Sequence, residues 1–197
     1  MSKNYFKNRV IFFKLCFNFE NQAVAPRLAL AACFNSKTSL QKSKFMLQLP
    51  KVVSIMIICN FRSSSEAETE AFAESFAKKL KKGAFVAFFG DLGAGKTAFV
   101  RGAMANLCPD AFVSSPTYAV MNEYRGEVAT VCHFDLYRIH SEDDLISIGF
   151  DDTLDGEKII FTEWSENVKE FLPFPRYDIT ITKISDEERN ILVEYKE

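Results

Sequence analysis

Residues 90–97 read GDLGAGKT, which fits G-x-x-x-x-G-K-[S/T]; an unbroken apolar run, AFVAFF (84–89), precedes them and a segment with helical spacing of apolar residues follows. Glycines permit the backbone angles that turn successive N–H groups inward on phosphate oxygens. The positive end of the next helix adds to that field. The apolar run is what a strand buried on both faces of a parallel sheet requires. Strand, loop and helix together are expected to bind a nucleotide. Gly90, Asp91, Leu92, Gly93, Ala94 and Gly95 form the cradle and Ala98 lies in the first helical turn; Lys96 would reach the β- and γ-phosphates, and Thr97 would offer its hydroxyl to Mg²⁺.

The pattern around the loop alternates in type. Residues 55–61 suggest a short strand, and Ser65-Glu66-Ala67-Glu68 has the form of a capping box. Phe72, Phe76 and Leu80 then recur every fourth residue, acids lead and lysines trail, and Gly83 marks the stop. The loop helix runs from about Lys96 to Leu107, ahead of Pro109. EVATVCHFD (127–135) and KIIFTEW (158–164) suggest two further strands, while YDITITKI (177–184) and NILVEY (190–195) suggest a closing hairpin around SDEER. The fold class expected is α/β: a P-loop NTPase with a mainly parallel central sheet flanked by helices and an antiparallel C-terminal hairpin.

Charge divides the chain. Residues 1–55 hold nine Lys/Arg and one acid, leaving 15 bases against 25 acids, a net of −10, in the remainder. Residues 1–55 are therefore read as a basic N-terminal extension, disordered or a mis-called start, with the domain occupying 56–197 from Met56 onward. No apolar run approaches the roughly 18–20 residues of a membrane span. An acidic body is a poor binder of nucleic acid on its own. The five cysteines (16, 33, 59, 108, 132) include no C-x-x-C pair, which suits reduced thiols in the cytoplasm.

Magnesium beside phosphates takes one or two protein carboxylates, and ligands of open α/β sheets bind beyond the carboxyl ends of the strands. Asp135 and Glu163 each end an apolar run, so either could touch the metal or orient water. SSPTYAVMNEY (114–124) is expected to be a loop, with Thr117 placed like a switch threonine. His133 and His140 are expected to hydrogen-bond structurally. Trp164 could be a buried anchor, a stacking surface or a partner contact. No N/T-K-x-D or D-x-x-G string occurs, which argues against a GTPase, and the scattered arginines after the loop do not form a kinase lid.

GDLGAGKT, SPTYAVMNEY, HFDLYRI (133–139), and EW (163–164) followed by FLP (171–173) occur in this order. Together they resemble the bacterial TsaE (YjeE) family, from Met56 to about Tyr195. That resemblance implies an ATPase using ATP and Mg²⁺ and acting with TsaD and TsaB in tRNA threonylcarbamoyladenosine biosynthesis, meeting tRNA only indirectly. It implies Thr97 and Glu163 as metal-side ligands, Lys96 as the phosphate contact and Asp135 as a Walker-B-like acid supporting metal or water. Lys96, Asp135 and Glu163 would be the catalytic set, with Glu66 and Arg189 as further nucleotide contacts. Two other classes remain alternatives: a P-loop small-molecule kinase and a nucleotide-gated protein-binding module.

Overall fold

The computed structural model describes residues 53–197. Apart from residues 53–55, the extension read at 1–55 lies outside the described residues. The elements are β1 (Ile55–Ser63), α1 (Glu66–Ala77), β2 (Phe85–Phe89), α2 (Lys96–Leu107), β3 (Met121–Arg125), β4 (Thr130–Asp135), α3 (Glu142–Ser147), β5 (Ile159–Glu163), β6 (Arg176–Lys183) and β7 (Arg189–Lys196). Short 3₁₀ turns cover 151–153 and 165–168.

The strands form one sheet in the order β1-β7-β6-β2-β5-β4-β3. Its four central strands, β6, β2, β5 and β4, are parallel. β7 and β1 extend it antiparallel on one side and β3 does so on the other. A mainly parallel sheet is thus correct for the centre and not for the flanks. The physical reason is connection length: β3 reaches β4 through residues 126–129, which suffices for a hairpin but not for a crossover. The C-terminal hairpin is β6–β7, as its sequence suggested.

Strand alternation divides the core. Val86 and Phe88 of β2, Val131 of β4 and Phe161 of β5 face α1 and α2, while Phe85, Ala87, Phe134 and Ile160 face α3 and the 3₁₀ turns. Phenylalanines carry both sides. Phe99 of α2 meets Phe88, Phe76 and Phe72 edge-on at 5.3, 5.8 and 6.0 Å. Phe150 meets Phe134 and Phe85 in the same manner at 5.2 and 6.0 Å. Each buried Phe contributes about 1.5–3 kcal/mol, with a little more from the edge-to-face geometry.

Local structure departs from expectation in four places. α1 ends at Ala77 rather than near Gly83, so its trailing lysines lie past the last turn. Its cap is offset by one residue: Ser65 Oγ accepts from Glu68 N (3.2 Å), but the Glu68 carboxylate accepts from Ser64 N (2.7 Å). Residues 121–125, expected to continue a loop, form β3. α3, six residues long, begins at a full capping box between Ser141 and Asp144.

α1 and α2 touch backbone to backbone at Gly102, where an added Cβ would lie 2.3 Å from Glu70 O and 2.4 Å from Glu70 Cα. In an open helix Gly→Ala stabilises by about 1 kcal/mol. Here the helices would have to part, so Gly102→Ala is expected to destabilise by roughly 1–3 kcal/mol. The check is a lower urea midpoint in equilibrium unfolding; an equal or higher one would contradict the close approach.

Candidate nucleotide-binding site

β2 delivers the chain to Gly90, whose φ of 137° only glycine adopts readily and whose Cβ, were it present, would lie 2.3 Å from Ile181 O. Gly93 (φ 74°) and Gly95 (φ 107°) complete the turn, and the Ala94 amide closes it on Asp91 O at 3.1 Å. Helical bonding starts with Phe99 N on Gly95 O (2.9 Å), so the first amides of α2 have no intrahelical acceptor and form a positive rim. A Cβ placed on Gly93 would meet nothing within 4 Å, which leaves room above the loop. Leu92 and Asp91 face outward, and Ala98 is half-buried.

Lys96 folds over this turn. Its ammonium donates to Gly90 O (2.5 Å) and Asp91 O (3.0 Å) and lies 3.9 Å from the centre of the Trp164 ring. Burial pushes its pKa below the ordinary lysine range, opposed by the carboxylates of Glu163, Glu166, Asp135 and Asp91.

The two strand-tip acids are direct neighbours, since β4 and β5 pair with Asp135 opposite Glu163. Both are buried. Glu163 Oε1 accepts from Thr97 Oγ1 at 2.8 Å, joining the start of α2 to the tip of β5. Asp135 ties down the loop of 114–120: its Oδ2 accepts from Thr117 Oγ1 (2.9 Å) and Ser115 Oγ (3.2 Å), and its Oδ1 from Tyr137 N (3.0 Å). Two bulky residues beside these acids have left-handed backbone, Val120 (φ 67°) and Trp164 (φ 60°). For a β-branched residue such as Val120 that is a rare conformation. It is fixed from both sides, with Val120 N on Pro116 O (2.7 Å) and Asp135 N on Val120 O (2.9 Å). The turn at Trp164 brings the indole over Lys96 and within 4.9 Å of the Tyr137 ring.

The remaining residues divide. Arg189 reaches the loop, but through Ala94 O (Nε, 2.9 Å); its Nη1 is taken by the carbonyls of Ser185, Asp186 and Glu188. Glu66 pairs with Arg101 of α2, which also binds Glu70 at 2.6 Å. His140 is exposed. His133, taken from sequence as a structural histidine, proves to be a neighbour of the site, with Nε2 2.9 Å from Glu163 Oε1. The signal for it was strand alternation, which puts residues 133 and 135 on one face of β4.

The family model described as threonylcarbamoyl adenosine biosynthesis protein TsaE matches residues 63–191. The chain belongs to the TsaE family. Among TsaE relatives, the tRNA threonylcarbamoyladenosine biosynthesis protein TsaE of Rickettsia bellii is 36% identical over 135 residues, 67% of this chain and 93% of its own length. The TsaE protein of Bacillus subtilis is 36% identical over 131 residues, 66% of this chain and 82% of its own. The crystal structure of Bacillus subtilis YdiB superposes with a TM-score of 0.60 at 29% identity, covering 73% of this chain and 87% of that one. TsaE membership places the chain in tRNA threonylcarbamoyladenosine biosynthesis.

The two hydroxyl contacts to Asp135 hold a strained loop, so their loss should be visible locally. Ser115→Ala combined with Thr117→Val is expected to speed amide hydrogen exchange at Val120 and Asp135 at least about tenfold, leaving that of β2 unchanged. Unaltered exchange at both amides would show that the hydroxyls do not hold the loop.

Proposed function

We propose that this chain is an ATP hydrolase that couples Mg·ATP binding and hydrolysis to the tRNA threonylcarbamoyladenosine modification complex of TsaD and TsaB. One observation carries the reading. A loop lysine, a helix-start hydroxyl and two strand-tip carboxylates converge at the carboxyl edge of the parallel strands, where α/β sheets bind their ligands.

The residues present suit magnesium. Thr97 and Glu163 supply a hydroxyl and a carboxylate oxygen 2.8 Å apart, hard donors of the kind this ion takes alongside phosphate oxygens and water. Among the described residues no three His, Cys, Asp or Glu side chains gather into a cage. Thr97 and Glu163 would hold the ion, which when bound neutralises charge on the phosphate oxygens. Lys96 would move its ammonium from the loop carbonyls to the phosphates, whose negative charge would favour its protonated form. The amides at the start of α2 would bind the same phosphates. Asp135 would support metal or water while holding Thr117, so that a change at the phosphates reaches the 114–120 loop. Arg189 would shape the loop from outside through Ala94 O.

The net charge of −10 over residues 56–197 favours a protein partner over direct contact with tRNA. Among the described residues no helix is long and apolar enough to cross a membrane. We assign the activity to the cytoplasm on the ground of the tRNA-modifying pathway.

Reconstituted multi-turnover tRNA modification with TsaD and TsaB is expected to require this chain and ATP. Lys96→Ala should weaken ATP binding by about 10–100-fold, the worth of a charge-assisted hydrogen bond. Glu163→Gln should lower the hydrolysis rate by on the order of 10²-fold with little effect on metal-free nucleotide affinity. Transfer of the γ-phosphate to an acceptor other than water would make the chain a kinase. Modification that needs bound but unhydrolysed nucleotide would make it a gated binding module.

A further inference from the structure

We propose that His133 is a positioning residue for Glu163: its Nε2–H holds the Glu163 carboxylate against Thr97 and so fixes the oxygen donor of the metal site. The inference rests on the reading of Glu163 as the metal-side acid.

His133 is fully buried, in β4 between Cys132 and Phe134, which are also fully buried. A ring in such a place is costly unless both nitrogens are satisfied, yet Nδ1 has no hydrogen-bond partner among the described residues. Core packing alone therefore favours Phe over His at this position. What the imidazole adds is Nε2, 2.9 Å from Glu163 Oε1.

An ionised carboxylate only accepts, so in this contact Nε2 is the donor, while Nδ1 faces no partner among the described residues. Register explains why the contact forms. His133 pairs with Phe161 and Asp135 with Glu163 across parallel strands, so the ring lies one pleat below the two acids on their own face. Glu163 Oε1 then receives two donors from different elements, Thr97 Oγ1 of α2 at 2.8 Å and His133 Nε2 of β4. A glutamate held at both points has lost its torsional freedom before any cation arrives, and such preorganisation raises both metal affinity and rate.

The test compares wild type with His133→Phe, which keeps ring and volume but removes the donor, and with His133→Gln, whose amide nitrogen can reach the place of Nε2. The first readout needs no activity. The chain has two histidines and His140 is exposed, so the ring nitrogens of His133 can be assigned by NMR in the metal-free protein. A fixed Nε2–H tautomer whose resonance moves on Glu163→Gln is expected; an Nδ1–H tautomer, or a resonance indifferent to Glu163, overturns the proposal.

The second readout is the Mg²⁺ dependence of hydrolysis with partners present. His133→Phe is expected to raise the Mg²⁺ midpoint or lower kcat by about tenfold, with metal-free nucleotide affinity unchanged, and His133→Gln to recover most of the loss. Wild-type Mg²⁺ dependence in a folded His133→Phe protein overturns the proposal, as does equal impairment of Phe and Gln variants of equal thermal stability. If His133→Phe does not fold, His133→Gln is set against His133→Asn, whose shorter amide cannot reach Glu163: retention by Gln alone supports the contact, and like behaviour refutes it. Should wild type neither bind nor hydrolyse ATP, the functional reading falls, and the ring spectrum still decides whether His133 holds Glu163.

Discussion

Parallel pairing of β2, β5 and β4 is the constraint on which the site depends. Parallel strands send their carboxyl ends to one edge, so the phosphate-type loop after β2, Glu163 at the end of β5 and Asp135 at the end of β4 share an edge without any long-range loop having to find it. Register does the fine placement. With Asp135 opposite Glu163, a slip of one residue on either strand would turn one acid to the other face, where Phe134 and Ile160 pack against Phe150 and α3. Both faces of β4 and β5 are buried, so what opposes such a slip is the cost of carrying Asp135 or Glu163 into apolar packing.

What surrounds that edge serves to hold it still. The hairpin β6–β7 walls the loop from outside, with Ile181 O against Gly90 and Arg189 on Ala94 O. At the start of β6 a buried group of charges anchors the segment that leads away from Trp164. Arg176 binds Asp178 at 2.7 Å and Leu172 O at 3.0 Å, and Lys196 meets the other Asp178 oxygen at 2.7 Å. Buried pairs of this kind add little net stability, since desolvation offsets most of the attraction. Their geometric effect is the larger one: they tie residues 169–172 to the sheet and so limit how far the turn after Glu163 can move.

Much of this was legible where local pattern and chemistry coincide. AFVAFF, the glycine turn and the helix beginning at Lys96 carried β2, the loop and α2 to within a residue, and each strand-tip acid stood at the end of an apolar run. The outer pairings of β1 and β3 were not legible, because nothing local in IMIICNFRS or MNEYR says which neighbour a strand will take or in which direction. β3 carries Asn, Glu and Arg, the composition of an edge strand, and so reads as loop. α3, six residues long, is too short for helical periodicity to register. Arg189 and Glu66 show a different limit. The family resemblance implied both as nucleotide contacts, whereas the structure shows Arg189 on the carbonyls of Ala94, Ser185, Asp186 and Glu188 and Glu66 on Arg101. The role of His133 was hidden by its apolar neighbours, since a histidine within VCHF resembles core until its partner across the sheet is known.

Strain is concentrated at the same edge. Backbone at positive φ in a bulky residue costs about 1–3 kcal/mol and persists only where surrounding contacts outweigh it. Val120 and Trp164 are the two such residues among those described, and each adjoins one of the acids: Val120 O accepts from Asp135 N, and Trp164 follows Glu163 directly. Next to them lie the hydroxyls on Asp135 and the ammonium beneath the Trp164 ring, the contacts that a triphosphate at the proposed site would rearrange. On the reading proposed above, a nucleotide at the loop would act on residues 114–120 through Asp135, which bonds Thr117 and Ser115 and pairs across the strands with Glu163.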